Sequence, residues 1–285
     1  SHYDQRGKNP SLRFASEEML MLDRIVSLDP QGGPWGLGEV IAEKDLAPDD
    51  WYFPCHFKDD NVLAGTLITE GCVQLLGFYM LYLGLQIKTG DARFQPIQNR
   101  PYSIRARGQI VPSNTQYSYK MEIVEIGLNP RPFVRANFYI IMDGKILVDF
   151  RDLGVELLEK NPSDPAYRGL AQPIEDMVEK ALFDERVIEE LATGSLSKCF
   201  GPEFAVYDNK RGPRTPNGDL QLVSRIMSLE GTRHNFKKEV AEMVSEYDVP
   251  AAAWFIEQNA YPVTPYSIIM EIALQPPAFL SVYLG

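Results

Sequence analysis

The longest apolar run of the chain constrains its fold most strongly, because a helix made from this run has no polar face to present to water. Residues 67–85 contain a single charged residue, Glu70, and are long enough for about five helical turns. A helix that is apolar all round must be enclosed. Residues 67–87 are also long enough to span a membrane, but Glu70, Gln74 and three glycines interrupt them, which favours a buried core helix and no membrane span.

Runs of alternating apolar and polar residues predict the strands that would enclose this helix. Two short runs precede it, at residues 25–28 and 38–42, with a Gly/Pro turn between them. Four longer runs follow it, and Asp143-Gly144 between the last two is typical of a two-residue hairpin turn. The four longer runs cover residues 103–111, 116–126, 133–142 and 145–158. This pattern predicts an α+β fold in which one antiparallel sheet wraps around a central helix.

Composition narrows the class of protein further. The 285 residues carry a formal net charge of −11, which argues against a nucleic-acid binder, since such a protein needs basic stripes to displace counterions. Cys55, Cys72 and Cys199 form an odd number at spacings that suit neither a disulfide framework nor a zinc site, and no metal site is expected. This cysteine usage favours a reducing, cytoplasmic setting. The residues after Ser1 lack the basic start and apolar run of a secretory signal.

The chain repeats its first part from about residue 219 onward. Residues 24–28 match residues 225–229 at four of five positions, and the tryptophans of both copies follow at corresponding places. Continuing from the tryptophans, with a two-residue deletion, aligns the polar positions of the two copies. The aligned pairs are His56 with Asn259, Val62 with Val263, Gly65 with Tyr266, Glu70 with Glu271, and Gln74 with Gln275.

The second copy stops at Gly285, at the end of its presumed helix, so we expect the chain to be a fragment of a longer protein. Pro276-Pro277 is predicted to kink or break that helix. Between the copies, an acidic amphipathic helix is predicted over residues 174–191. The predicted parts are an N-terminal extension (1–16), a first domain (17–160), a linker subdomain (161–218) and the start of a degenerate second domain (219–285).

A base, a carboxyl acid and a flexible backbone donor fall within fifteen positions of the first copy: His56, Glu70 and Gly65. A lone histidine is usually a core residue and a lone glycine a turn residue, but this spacing favours a catalytic group. Histidine has a pKa of about 6.5, which suits a general base. Burial disfavours the charged form of a carboxyl, so Glu70 on an apolar helix could stay protonated and act as the acid. Gln74, one turn later, could orient that carboxyl or cap a polar cluster.

Cys55, next to His56, raises the alternative of a cysteine nucleophile. Its apolar neighbours Phe53, Pro54 and Phe57 favour a small packed residue instead.

The first copy resembles the dehydratases of fatty acid synthesis that share the hot-dog fold. Their motif is His-Phe, a loop ending in Pro-Gly, an acid fourteen residues after the histidine, and a glutamine four residues later. Here it reads His56-Phe57, Gly65, Glu70 and Gln74, with Ala64 in place of the proline. One intact and one degenerate copy in tandem is more similar to the dehydratase region of polyunsaturated fatty acid synthases. The resemblance implies a double hot-dog whose second copy is degenerate and truncated.

The resemblance also implies an activity: dehydration of 3-hydroxyacyl-(acyl carrier protein) thioesters to trans-2-enoyl thioesters within a multienzyme fatty acid or polyketide synthase. No cofactor is implied beyond the phosphopantetheine of the carrier. The expected partners are the acyl carrier protein, the acyl thioester and the other synthase domains, and a homodimer is compatible with them. An acidic carrier needs a basic patch, for which the candidates are Arg105, Arg107, Lys210, Arg211 and Arg214.

In the resembled family the two copies pair back to back, and each site takes its histidine from one copy and its acid from the other. Carried over, His56 pairs with Glu271, whereas Glu70 faces Asn259 in a dead site; pairing of His56 with Glu70 is the alternative. Gly65, Phe57, Gln74 and Gln275 are the expected substrate-binding residues. Rival functions are a hot-dog thioesterase, which would not need His56, and a non-catalytic scaffold. Double-bond isomerisation uses the same residues and is left open beside dehydration.

Overall fold

A computed structural model of the chain describes residues 8–160, 180–235, 240–250, 252–259 and 261–285. The helices are α1 (Tyr52–Cys55), α2 (Gly65–Tyr82), α3 (Glu185–Thr193), α4 (Leu196–Phe200), α5 (Trp254–Glu257) and α6 (Tyr266–Leu284). The strands are β1 (Arg24–Asp29), β2 (Glu39–Asp45), β3 (Ala92–Pro96), β4 (Ser103–Ala106), β5 (Gln116–Gly127), β6 (Phe133–Met142), β7 (Lys145–Glu159), β8 (Arg225–Glu230) and β9 (Glu242–Glu246).

The chain forms two compact units that interleave along the sequence. The first unit takes its described residues from Ser1–Ala47, Gly65–Leu170 and Trp254–Tyr266. The second takes its own from Pro48–Ala64, Ala171–Ala253 and Ser267–Gly285. Each unit therefore contains a short segment from the opposite end of the chain. The linear domain boundaries predicted above stay a prediction.

The sheet of the first unit is antiparallel throughout, in the order β1-β2-β5-β6-β7-β3, and β4 also pairs with β7. Alternate residues of the long strands are buried on one face, as their pattern predicted. These are Tyr117, Tyr119, Met121 and Ile123 in β5, and Val134, Ala136, Phe138 and Ile140 in β6. Asp143 and Gly144 join β6 to β7 with φ angles of 50° and 72°, which confirms the predicted hairpin turn.

The strands beyond α2 differ from the prediction in two places. The strand predicted over residues 103–111 is only β4, which pairs with residues 148–151 of β7. A short strand, β3, was missed; it pairs with residues 155–159 at the other end of β7. A five-residue strand that ends in proline carries little alternation, and proline is tolerated here because β3 lies at the sheet edge.

The central helix α2 is buried over most of its length, as predicted for a core helix. It approaches the sheet closely at Gly71, where a Cβ atom would come 1.9 Å from the hydroxyl oxygen of Tyr119. That hydroxyl is fixed by the hydroxyl of Tyr117 at 2.9 Å and by the carbonyl of Met21 at 3.2 Å. The glycine inside α2 thus lets a buried tyrosine lie against the helix backbone.

The second unit has its own apolar core, in which α3, α4 and α6 surround a group of aromatic side chains. The helix predicted over residues 174–191 lies partly outside the described residues. Within the described residues, the predicted start of the helix is too early. Phe183 bridges to Ile226 instead of continuing a helix, and α3 begins after Asp184, whose carboxylate accepts a hydrogen bond from the backbone N–H of Val187 at 3.2 Å.

The prolines of α6 do not break it, so of the kink or break predicted after Gln275 the break is wrong, and a kink stays a prediction. The helix runs from Tyr266 to Leu284 through Pro276 and Pro277. Pro277 removes the hydrogen bond to the carbonyl of Ala273, but Ala273 is exposed, so water can satisfy that carbonyl.

Within the described ranges α6 alone has the length and apolar composition of a membrane-crossing helix. Core helices also meet this criterion. The segment at residues 67–87, which the sequence analysis considered, is not the one that meets it.

Candidate active site

The two long helices carry matching polar clusters at matching positions. Gly65 is the first residue of α2, and Tyr266 is the first residue of α6. Glu70 and Glu271 follow five residues later and are 7% and 5% exposed. The predicted alignment of the two copies therefore holds at the start of both helices.

The glutamine one turn after each glutamate fixes its carboxylate. In α2, the Gln74 Nε2 group donates to Glu70 Oε1 at 3.1 Å, and in α6 the Gln275 Nε2 group donates to Glu271 Oε1 at 3.1 Å. Each glutamine also bonds to the backbone of a neighbouring segment. Its Nε2 donates to the carbonyl of Met19 or Leu220 at 2.7 Å, and its Oε1 accepts from the N–H of Met21 at 3.0 Å or Leu222 at 2.9 Å. The two glutamines thus hold the acids and also anchor the helices.

The alignment holds in the strands as well. Arg24 bonds to Glu43 at 2.8 Å and to Asp45 at 2.5 Å in the first unit. In the second unit Arg225 bonds to Glu246 at 2.7 Å and to Asp248 at 2.6 Å. These are the same contacts on aligned residues. Whether residues 219–285 belong to a complete second hot-dog domain stays a prediction.

His56 lies on the loop after α1, in the second unit, and is half-buried. Its Nδ1 atom is 3.2 Å from the carbonyl oxygen of Val62, and the Val62 N–H donates back to the His56 carbonyl at 2.8 Å. Because a carbonyl can only accept, the neutral imidazole must carry its proton on Nδ1. Nε2 is then left as the basic nitrogen. The ring of Phe57 packs against the imidazole, with 3.9 Å between ring centroids.

Burial lowers the pKa of His56, and the negative charge of Glu271 offsets part of this effect. The imidazole is thus kept neutral at neutral pH, as a general base requires. Glu271 belongs to the same unit as His56, whereas Glu70 belongs to the first unit. The charge of Glu271 thus acts on His56 within one unit, and the pairing of the two as base and acid stays a prediction.

The residue that aligns with His56 lies in the first unit. Asn259, which aligns with His56, belongs to the same unit as Glu70. Its Nδ2 group donates to the carbonyl of Val263 at 2.9 Å, as His56 Nδ1 does to that of Val62. Asparagine reproduces this loop contact, but it has no basic nitrogen that corresponds to His56 Nε2 and could accept a proton.

Gly65 is exposed at the beginning of α2, in the first unit. A Cβ atom added there would meet no atom of the described residues within 4 Å. Its φ angle is not positive. Neither packing nor backbone conformation within the described part of the chain therefore requires a glycine at this position.

Cys55 is buried, and burial raises the pKa of its thiol. Its Sγ atom donates to the carbonyl of Trp51 at 3.2 Å. These observations favour the packed residue over the nucleophile. Among the described residues, no group of three or more histidine, cysteine, aspartate or glutamate side chains could hold a metal ion.

The basic residues considered for carrier binding are partly engaged in local contacts. Arg107 pairs with Asp149, and Arg211 pairs with Asp60. Arg214 donates to carbonyls at the end of α3, among them that of Gly194 at 2.7 Å. A role in binding a carrier stays a prediction.

Two positioning groups were not recognised in the sequence. The Val62 carbonyl acts through the backbone, so only the Val62–Val263 match in the repeat pointed to it. Tyr102, which bonds to Tyr266, lies outside the motif and has no aligned counterpart.

Residues 14–151 match the family model of the FabA-like domain, and this part of the chain is a FabA-like domain with the hot-dog fold. The chain is similar to a subunit of the polyunsaturated fatty acid synthase of a Thraustochytrium species. The identity is 28% over 386 aligned positions, covering 94% of this chain and 26% of that protein. The chain thus spans about a quarter of the length of this relative. The family resemblance inferred from the motif is confirmed.

Solved structures that match part of the chain include the dehydratase heterocomplex ApeI:P from Xenorhabdus doucetiae. It matches with a TM-score of 0.39 and 16% identity, covering 55% of this chain and 91% of that one. A thioesterase from Shewanella oneidensis matches with a TM-score of 0.28 and 17% identity, covering 41% and 75%.

Proposed function

We propose that this chain dehydrates 3-hydroxyacyl thioesters to trans-2-enoyl thioesters, with His56 as base and Glu271 as acid. The observation that carries the proposal is the grouping of these two residues in one compact unit, where the Glu271 carboxyl group lies near enough to the half-buried imidazole to affect its pKa. The Val62 carbonyl orients this imidazole so that Nε2 is free to take a proton.

The reaction needs one proton removed and one delivered. His56 Nε2 takes the proton from C2 of the acyl chain, and the electron pair of that C–H bond forms the C2=C3 double bond. The C3–O bond breaks as protonated Glu271 gives its proton to the hydroxyl group, which leaves as water. Transfer of the proton from the imidazolium to the Glu271 carboxylate resets the pair.

Two further motif residues of the same unit support His56 and Glu271. Gln275 holds the Glu271 carboxyl through the 3.1 Å bond, and Phe57 packs on the imidazole of His56. For Gly65, which lies in the first unit, we retain only the role that its motif position implies, that of a backbone N–H donor to a thioester carbonyl. The free N–H groups at the start of a helix suit this role, and the open space at Gly65 leaves room for a close approach.

Glu70 and Gln74 have the same local geometry in the first unit. Asn259 stands in their unit in place of a histidine and cannot accept a proton from carbon. We therefore propose one working site per pair of copies, built from His56 and Glu271.

The setting that we propose is a cytoplasmic multienzyme synthase of fatty acids, with a polyketide synthase as the alternative. The similarity to a subunit of a polyunsaturated fatty acid synthase supports the fatty acid setting. The substrate would arrive on the phosphopantetheine arm of an acyl carrier protein, and no dissociable cofactor takes part. Other synthase domains, or a second copy of this protein, would be further partners. Isomerisation of the new double bond is a second proposed activity of the same residues.

The product of the reaction tests the proposal. The whole chain is incubated with a 3-hydroxyacyl pantetheine thioester, the products are separated, and their masses are measured by mass spectrometry. An enoyl thioester, about 18 mass units lighter by the chemistry of water loss, is expected from the wild type and not from His56→Ala. A free acid would instead identify a thioesterase, and unchanged substrate would identify a non-catalytic scaffold.

A further inference from the structure

We infer that Tyr266 closes the degenerate site of the first unit to acyl thioesters, so that each chain binds one acyl chain and not two. This inference rests on the proposed function, because it concerns the second place where the same substrate could bind. It assigns to Tyr266 the exclusion of substrate, a role separate from the loss of the base at Asn259.

The degenerate site keeps most of the framework of the working one. Glu70 is buried and held by Gln74 at 3.1 Å, the same distance as in the other copy. Asn259 keeps the loop bond to the carbonyl of Val263. The acid and the loop thus each keep the local hydrogen bond of their counterparts in the other copy, and the loss of the base does not by itself remove a place for an acyl thioester to bind.

The difference lies at the first residue of the helix. In α2 this position is Gly65, where a Cβ atom would meet no described atom within 4 Å. In α6 it is Tyr266, so a phenol ring extends from the position that the motif keeps free of any side chain. In the dehydratase motif the glycine backbone must approach the thioester closely. A tyrosine at that position therefore occupies the volume in which the thioester carbonyl would lie.

The ring of Tyr266 is held in place. Its hydroxyl oxygen is 3.0 Å from that of Tyr102, in the same unit, and Tyr266 is half-buried. Burial and the bond to Tyr266 raise the pKa of Tyr102, so the Tyr102 phenol stays neutral over the physiological pH range. The ring forms one wall of an open cleft of about 690 Å³ whose other walls are residues 95–101. A side chain fixed at its far end cannot swing aside without breaking this bond.

The stoichiometry of binding tests the inference. The probe is a 3-hydroxyacyl pantetheine analogue whose thioester is replaced by an amide, titrated into the whole chain by isothermal calorimetry. The wild type is expected to bind one equivalent. Tyr266→Ala, which removes the ring and keeps a good helix former at this position, is expected to bind two. Tyr266→Gly restores the motif residue and should also bind two.

Tyr266→Phe is the matched control, because it keeps the ring and loses only the bond to Tyr102; it should bind one equivalent. Circular dichroism and thermal unfolding verify that each variant is folded, and dehydration at the His56 site should persist in all of them. Two equivalents on the wild type, or one on folded Tyr266→Ala and Tyr266→Gly, would overturn the inference while leaving the proposed function in place. No binding by the wild type would overturn the proposed function itself and this inference with it.

Discussion

Replacing His56 by asparagine separates its chemical role from its structural role, because the chain already contains that arrangement at Asn259. In the second copy, asparagine donates to the Val263 carbonyl at 2.9 Å. The same residue at position 56 should bond to the Val62 carbonyl and keep the loop closed. It would lack only the Nε2 atom that takes the proton from C2.

The expected effects are large on turnover and small on stability. Removal of a positioned general base lowers the rate about 10²–10⁴-fold, or about 3–5 kcal/mol of transition-state stabilisation at about 1.36 kcal/mol per tenfold change. His56→Ala should lose the same rate. It should also lose the hydrogen bond to the Val62 carbonyl, which contributes about 0.5–1.5 kcal/mol to the free energy of unfolding. For chains near this size, about 1 kcal/mol corresponds to about 2–4 °C of Tm, so Tm should fall by a few degrees.

Steady-state formation of the enoyl thioester, together with urea unfolding of both variants, measures these effects. We expect two inactive proteins, of which His56→Asn unfolds at the wild-type urea concentration and His56→Ala below it. Turnover by folded His56→Asn near the wild-type rate would refute the assignment of the base. Equal destabilisation of both variants would refute the role of the Val62 carbonyl.

Further predictions concern pH and the supporting residues. Because burial lowers the pKa of His56, kcat/KM should fall on acidification only below about pH 6.5; a limb centred above that value would contradict the neutral base. The unfolded chain also binds this proton more readily than the folded one, so the free energy of unfolding should decrease as pH falls from about 6.5 to the lowered value, and His56→Asn should remove this dependence. Gly65→Val should slow turnover more than it lowers Tm, because no described atom crowds the new side chain; a lost fold with normal activity in the folded fraction would make Gly65 a turn residue. Gln275→Ala and Gln74→Ala each remove matching hydrogen bonds and should destabilise the protein similarly, but only Gln275→Ala should slow dehydration; equal rates would show that Gln275 does not position the acid.

The elements with strong periodicity were predictable from the sequence. The apolar run at residues 67–85 gave α2 within a few residues at each end, and the alternating runs gave β5, β6 and β7. The repeat aligned Glu70 with Glu271, and both carry the same bond to a glutamine. A series of polar residues that recurs in the same order is a strong indication of a structural repeat, because both members of the matching pair make the same contact.

The elements missed depend on tertiary contacts. β3 is short, ends in proline and is stabilised by pairing with the far end of β7. The start of α3 was placed too early because Phe183 takes part in the apolar core and in a bridge to Ile226, neither of which the helical pattern reveals. The bond between Tyr102 and Tyr266 joins residues 164 positions apart, so no local pattern could predict it.

The paired substitutions Glu271→Gln and Glu70→Gln test the central claim, that His56 works with the acid of the second copy. The two glutamates are matched in burial, at 5% and 7% exposed, and each accepts a hydrogen bond from a glutamine at 3.1 Å. Glutamine keeps the size and the accepting oxygen but has no proton to give, so the structural cost should be the same in both variants.

The measurement is the rate of enoyl thioester formation by the two variants, with thermal unfolding as the check on folding. We predict that Glu271→Gln lowers the rate about 10²–10⁴-fold, whereas Glu70→Gln stays close to the wild type. An inactive Glu70→Gln beside an active Glu271→Gln would place the acid in the same copy as His56 and contradict the account.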